Sequence, residues 1–371
     1  MRHKRKILAA AGVAAVAAGV TAVAGLTILA AGTAAAVSAM KRQQHSGLGK
    51  KQSRLQGKRL QGKVVLITGG SRGLGLALAE EFASLGARLV LTARDAEELH
   101  RAKEQLVRQT IIESHDILTI PCDLRIAEQV DTLVSAATDA FGQIDILVNN
   151  AGIITAGPIE QQTRESFHNV MNTNFFASVY TVTAVIPQML ARRGGSIVNI
   201  TSIGGKVAVP HMLPYSASKF AAVGFSQGLY AELRSRGIRV LTVCPWLMRT
   251  GSHLNALFTG DASREYRWFS LLATTPGISV SARYAARRIV RGVLRGEAEI
   301  AISPMAVLAA RLGPLMPGLT VRAMAASNYL LPQPSPGHEI PVKGAHSRDH
   351  ELLPAATLGM RAAKRYNQLG E

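Results

Sequence analysis

From residue 63 onward the chain alternates short apolar runs with amphipathic stretches. Residues 63–68 (KVVLIT) read as a strand apolar on both faces, 74–85 as a helix, 88–93 as a second strand and 96–113 as a second helix. Strands over 116–120 and 145–148 follow, with a helix over 126–141 between them. Two more strands, 196–201 and 240–244, flank a helix near 217–235, and a last helix near 282–294 precedes a strand over 299–303. Strands alternating with helices predict right-handed crossovers, hence a seven-stranded parallel sheet with helices on both faces, an α/β fold of three layers.

The two ends break this rhythm. Residues 7–40 form 34 consecutive uncharged positions between Lys6 and Lys41. As one helix the run would be about 51 Å long at 1.5 Å per residue, whereas about 20 residues suffice to span a bilayer. It reads as an N-terminal transmembrane helix, and Gly12, Gly19, Gly25 and Gly32 would give it a small-residue face for pairing. A cleaved signal peptide, with Val37-Ser38-Ala39 as its cleavage site, and a buried soluble helix are the alternatives. The division that follows is a membrane anchor over 1–43, a basic linker over 44–62, a catalytic domain over 63–304 and an extension over 305–371. In the extension, 305–331 is apolar with spaced arginines and with Pro314 and Pro317 as breaks, which suggests two short helices. They would lie on a membrane surface or cap a cleft. Residues 332–346 read as a Pro-rich linker, and the pattern leaves open whether 350–371 docks or frays.

Charge sharpens this picture. The formal net charge is +18, but 12 of the 42 Lys/Arg and none of the 24 Asp/Glu lie in residues 1–63. The other 308 residues hold 30 basic against 24 acidic side chains, so the basicity belongs to the N-terminal arm. A nucleic-acid role for that arm is disfavoured because the apolar run interrupts it. Four basic residues precede the run and eight follow it, which favours a cytoplasmic body. Two cysteines exclude a disulfide scaffold and a cysteine zinc cluster, and no metal site is expected.

The candidate chemistry starts at Thr68-Gly69-Gly70-Ser71-Arg72-Gly73-Leu74-Gly75, where the first strand meets the first helix. Gly69 permits a tight turn, and Gly73 and Gly75 let the backbone approach a pyrophosphate while the helix packs on the sheet. Ser71, Arg72 and Leu74 share that loop, and the helix N-terminus presents free N–H groups to phosphates. The second strand ends Leu91-Thr92-Ala93-Arg94. An acidic residue there would favour NAD; Arg94, with Arg72, instead suits a 2′-phosphate and so NADP. Asp95 pulls the other way.

Four segments in order, 68–75, Asn149-Asn150-Ala151-Gly152, Ser202 and Tyr215-Ser216-Ala217-Ser218-Lys219, resemble the short-chain dehydrogenase/reductase family over about 63–303. The resemblance implies a doubly wound Rossmann-type fold and an NADP-dependent oxidoreductase interconverting a ketone or aldehyde and its alcohol. Tyr215 and Lys219, four apart, share a helix face. An ordinary Tyr, with a pKa of about 10, is a poor acid–base at neutral pH, so the ammonium and the nicotinamide's charge are expected to pull it down. By resemblance Tyr215 donates the proton, Ser202 holds the substrate oxygen, Lys219 also holds the nicotinamide ribose, and Asn174 holds a water in the proton relay. Asn150, Ala151 and Gly152 would shape the cofactor cleft, and Asp123 would meet adenine or cap a helix. Thr250 would touch the carboxamide.

One position departs from the family: Pro245 is followed by Trp246 where a glycine is usual. The stretch 250–275, with Leu254, Leu257, Phe258, Tyr266, Trp268, Phe269, Leu271 and Leu272, suits a lipophilic substrate or plain core packing. Cys122 and Cys244 read as small buried residues, and His211 has no role. Self-association through the helices carrying Asn174 and Tyr215 is expected. The competing reading is a non-catalytic, membrane-tethered NADP(H)-binding sensor or scaffold.

Overall fold

Five apolar or neutral residues in a row give β1 (Val64–Thr68) no face for water, and all five are buried. Val65 and Ile67 enter one core while Val64 and Leu66 enter another, so β1 separates two hydrophobic layers. The computed structural model describes residues 60–334, 338–347 and 354–369. The anchor expected over 1–43, and the linker as far as residue 59, lie outside the described residues.

After β1 come α1 (Gly73–Ala83), β2 (Arg88–Ala93), α2 (Ala96–Gln109), β3 (Ile117–Pro121), α3 (Ala127–Phe141), β4 (Ile146–Asn149) and a short β5 (Thr155–Ala156). Then α4 (Arg164–Met171) passes through a π-helical turn, Asn172–Phe176, into α5 (Ala177–Ala191). Next are β6 (Gly195–Ile200), α6 (Leu213–Leu233), β7 (Ile238–Pro245), β8 (Met248–Arg249), β9 (Leu257–Gly260), α7 (Ala262–Thr274), β10 (Val280–Ser281), α8 (Ala282–Arg295) and β11 (Glu299–Ile302). The chain closes with α9 (Pro304–Leu315), α10 (Pro317–Asn328), β12 (His338–Lys343) and α11 (Pro354–Arg365).

The main sheet has seven strands in the order β11-β7-β6-β4-β1-β2-β3, every pair parallel. Helices α1, α2 and α8 cover one face through Leu76, Phe82, Leu99, Leu106, Ile289 and Val293. On the other face α3, α5 and α6 contribute Val130, Leu133, Val182, Val185, Met189 and Leu233. Strand order reverses between β1 and β4, so a crevice opens beyond the C-terminal ends of these strands, at Thr68 and Asn149.

The three-layer expectation therefore holds, but three regions differ from the sequence reading. Residues 164–191 form a nearly continuous helix, the one among the described residues long and apolar enough to cross a membrane. It is seated on the sheet by Val182, Val185 and Met189. The stretch 250–275 contains β9 and α7, and Ala256, Phe258 and Phe269 belong to the core of a small separate cluster. The expected linker 332–346 contains β12, which pairs antiparallel with β9 at the edge of a three-stranded sheet. Pro341 is tolerated there because an edge strand has one side without ladder bonds.

Candidate active site

Both walls of the crevice come from residues that hold each other. A side chain on Gly75 would run into the carbonyl oxygen of Gly69, so only glycine lets α1 start this close to the loop. Asn150 reinforces that loop: its Nδ2 donates to the carbonyls of Thr68 (2.9 Å) and Gly69 (3.0 Å). The backbone N–H groups of Asn150 and Ala151 donate to Thr68 Oγ1 at 2.9 and 3.0 Å. Asn150 thus acts on the loop, while Gly152 faces inward, beside Asn174 and the Lys219 amine.

The second wall is α6. Tyr215 and Lys219 lie one turn apart on it, and the ammonium sits 5.7 Å from the Tyr215 ring centroid. Ser202 follows β6 and opens a short turn, Ile203–Gly205; its Oγ accepts from the Gly204 N–H at 3.0 Å and lies beside the Tyr215 ring, both 3.3–3.4 Å from where a Cβ on Gly204 would be. A side chain on Gly205 would strike the Lys219 carbonyl, so this glycine is what lets the Ser202 turn press against α6. Asn174 sits in the π-helical turn; its Nδ2 donates to Ile153 O and Ser218 Oγ, both at 3.0 Å, and its Oδ1 accepts from Ile153 N at 2.8 Å. That turn is a rare backbone form that recurs at functional positions.

Electrostatics here differ from the sequence expectation in one respect. The Tyr215 phenol is pushed above its ordinary value, because burial disfavours the phenolate more than the neighbouring Ser202 hydroxyl favours it. Burial acts on Lys219 in the opposite sense: with 5% of its surface exposed and Nζ donating to Ile200 O at 3.1 Å, its pKa falls to about 8. The expected fall of the phenol is therefore not a property of the tyrosine–lysine pair.

Gly69, Gly73, Asn150, Gly152, Ser202, Tyr215 and Lys219 border one continuous cavity of about 830 Å³, whereas Asn174 does not line it and is bonded instead to Ile153, which does. It runs from Arg94 and Asp123, past Gly69–Leu74 and Asn150–Gly152, to Ser202, Tyr215, Lys219 and Thr250. A bed of N–H groups at a helix start, an elongated groove and a buried Tyr–Lys pair at its end fit a nicotinamide dinucleotide.

The short chain dehydrogenase model matches residues 63–256 of this sequence. The chain belongs to the short-chain dehydrogenase family. It is 37% identical over 252 residues, 68% of this chain and 78% of the other, to a dehydrogenase/reductase SDR family protein 7-like of Anopheles gambiae. A short-chain dehydrogenase from Streptomyces avermitilis superposes with a TM-score of 0.60 at 28% identity, covering 72% of this chain and 99% of that one. The actinorhodin polyketide ketoreductase solved with NADPH gives 0.57 at 29% identity over 67% and 97%. As a family member the chain is an NAD(P)-dependent oxidoreductase acting on alcohols or carbonyls by hydride transfer.

Within this dehydrogenase the Arg94 end of the cavity carries a pairing the motifs did not reveal. Glu98 Oε1 bonds Arg72 Nη1 at 2.7 Å and its Oε2 accepts from Ser71 Oγ at 3.0 Å. Asp95 caps α2, accepting from the Glu98 N–H at 2.9 Å, so the residue that weighed toward NAD is engaged in the helix start. Asp123 does not cap α3, whose N-cap is Ile126. Arg125 grips its carboxylate at 2.9 and 2.6 Å, holding it below the usual range. Arg94 borders the cavity.

At the substrate end Trp246, Trp268, Phe269 and Leu272 line the cavity, while Leu254 and Phe258 are interior. Thr250 borders the cavity with Ser252. His211, which the sequence left without a role, sits 2.7 Å from Glu265 Oε1, whose Oε2 accepts from Trp268 Nε1 at 2.6 Å. Glu265 is 1% exposed, so this network pins α7 to the segment just before the catalytic helix. A second hidden network crosses the sheet: Thr181 to Asn149, Asn149 to Asn199, Asn199 to Ser226, and Ser226 to Thr242. Cys122 and Cys244 are buried, and burial lifts the Cys122 thiol to about 11.

Proposed function

We propose that this dehydrogenase uses NADPH to reduce a lipophilic ketone or aldehyde, or runs the reverse oxidation, with Tyr215 as its acid–base. The observation that carries the reading is Ser202 and Tyr215 side by side on the cavity wall, with the Lys219 amine 5.7 Å from the Tyr215 ring centroid. A carbonyl oxygen placed between the two hydroxyls would accept from both. Tyr215 then gives up its proton: the phenol is protonated at neutral pH, and stabilisation of the phenolate that forms is what lets it donate. Lys219 stabilises the phenolate left behind, and Ser202 orients the oxygen. Asn174 braces Ile153 and the start of α6, and is assigned the relay toward solvent. When bound, the nicotinamide supplies the hydride.

NADPH is favoured over NADH because Arg94 and Arg72 both stand at the adenine end, where a 2′-phosphate would draw Arg72 from Glu98. Gly69, Ser71, Gly73, Leu74, Gly75, Asp123, Asn150, Ala151, Gly152 and Thr250 make up the rest of the cofactor groove. Lipophilic substrates suit Trp268, Phe269 and Leu272 on α7, with Ala309 and Met324 from α9 and α10 closing the far side. The outer side of those helices exposes Leu315, Met316, Leu319 and Val321 beside Arg311 and Arg322, which suits contact with a lipid surface. With residues 1–43 as anchor, 44–62 as basic linker, 63–304 as catalytic body and 305–371 as extension, the active site would open next to a membrane on its cytoplasmic side. The exposed Phe176, in the π-helical turn that carries Asn174, and Phe220 on α6 suit the faces through which two copies would associate.

The test is spectrophotometric. NADPH consumption by the full chain with bulky apolar ketones, and not with small polar ones, is expected. Preference for NADH, or activity confined to small polar carbonyls, would refute the cofactor or the substrate assignment.

A further inference from the structure

The family match ends at residue 256, yet the glycine loop is held by residues more than a hundred positions further on. Gly73, the first residue of α1, donates its N–H to the carbonyl of Tyr366 at 2.8 Å. Asn367 Nδ2 donates to the carbonyls of Ser71 (3.0 Å) and Glu98 (3.1 Å), and Arg101 Nε reaches Asn367 Oδ1 at 3.4 Å. Arg365 pairs with Glu80 at 3.1 Å and bonds Gln109. Tyr366 joins the core against α1, and Ala363 packs so tightly on Gly251 that a Cβ there would lie 2.5 Å from its Cα. This C-terminal segment is fitted into the body of the fold.

Gln368 stands at its inner end. It is 7% exposed and borders the cavity. Asn255 Nδ2 donates to both its backbone carbonyl (3.1 Å) and its Oε1 (2.7 Å), which fixes the amide with Nε2 turned the other way. That nitrogen lies 2.5 Å from where a Cβ on Gly73 would be, with Thr250 on the far side of the same spot. It has no hydrogen-bond partner among the described residues. On the cavity wall it is a donor open to a ligand acceptor. It faces the start of α1, where a dinucleotide's pyrophosphate crosses a helix N-terminus in this fold class. Tyr366 takes the Gly73 amide and leaves Leu74 lining the cavity, so the segment borders the phosphate path without filling it.

We propose that Gln368 is a dinucleotide-binding residue whose Nε2–H donates to the cofactor's pyrophosphate, so that the C-terminal segment completes a site the family-matched residues form only in part. The inference rests on the nicotinamide-dinucleotide reading of the cavity and extends it.

The test uses the full chain with Gln368→Ala and Gln368→Glu, titrated by fluorescence with NADPH and, in competition, with adenosine 2′-monophosphate, which has no pyrophosphate. Gln368→Glu keeps an oxygen for Asn255 and replaces only the cavity-facing N–H by a charged oxygen. The dissociation constant for NADPH should rise about tenfold in Gln368→Ala and further in Gln368→Glu, since a hydrogen bond to a charged group is lost and then a repulsion added. The constant for adenosine 2′-monophosphate should stay within about twofold, because that ligand lacks the pyrophosphate with which Gln368 would bond. Unchanged NADPH binding would overturn the proposal. So would tighter binding, which would make Gln368 a competitor of the dinucleotide, or equal losses for both ligands, which would mean a disordered site. A wild type that binds neither NADPH nor NADH would remove the dinucleotide reading itself.

Discussion

Lys219 is an ammonium with only 5% of its surface exposed, and the protein without cofactor should be more stable without that charge. Burial lowers its pKa from 10.5 to about 8, and at 1.36 kcal/mol per unit that is a penalty of about 3 kcal/mol for carrying the proton in the folded state. Lys219→Met keeps the length and removes the charge. It also deletes the hydrogen bond to Ile200 O, which costs about 1 kcal/mol. At pH 7 the variant should therefore be more stable than wild type by about 2 kcal/mol. Below about pH 8 folded and unfolded chains both hold the proton, and the penalty is present in full. Between about 8 and 10.5 the unfolded chain binds a proton the folded one lacks, so wild-type stability rises with pH relative to the variant. Above 10.5 the penalty is gone and only the lost hydrogen bond remains, so the order reverses. Urea unfolding of both proteins at pH 7, 8.5 and 10.5 measures this difference directly. A difference independent of pH, or a variant less stable at pH 7, would refute the reasoning.

Other substitutions test other parts of the site. Gly205→Ala forces a methyl against the Lys219 carbonyl; it should destabilise by about 1–3 kcal/mol in urea unfolding and lower kcat by moving Ser202 from Tyr215. Arg94→Ala should weaken NADPH about tenfold in a fluorescence titration and leave NADH unchanged, because only the former carries the 2′-phosphate. Glu265→Leu leaves the His211 and Trp268 ring nitrogens without their acceptor, and should cost about 2–4 kcal/mol by thermal or urea unfolding.

What was legible in the sequence was whatever depends on neighbours in sequence. The strands of the sheet are buried on both faces, so β1 and β2 stand out as unbroken apolar runs with nearly the observed limits. Tyr215 and Lys219 are readable because one helical turn brings them together, and the glycine loop because strand, turn and helix are consecutive. The helix over 164–191 escaped notice: Pro187 lies inside it and Asn172–Phe176 takes a π-helical turn, both of which blur the period. The stretch 250–275 shows apolar residues that serve two masters, since Phe258 packs inward and Trp268 faces the cavity. Contacts between distant residues left no local trace: Glu98 on Arg72, Glu265 on His211, and the C-terminal residues on the glycine loop all unite elements apart in sequence. The upward shift of the Tyr215 phenol without cofactor left no local trace either, because burial is a property of the whole fold.

The central claim is that Tyr215 donates the proton in an NADPH-dependent carbonyl reduction. Removing only its hydroxyl tests that claim most directly. Full-length wild type and Tyr215→Phe should bind NADPH with the same dissociation constant, while the variant consumes NADPH with a lipophilic ketone slower by about 100-fold or more. Equal turnover by the two proteins would contradict the assignment of Tyr215. Tight NADPH binding with no turnover by wild type across a broad ketone panel would contradict the reductase itself.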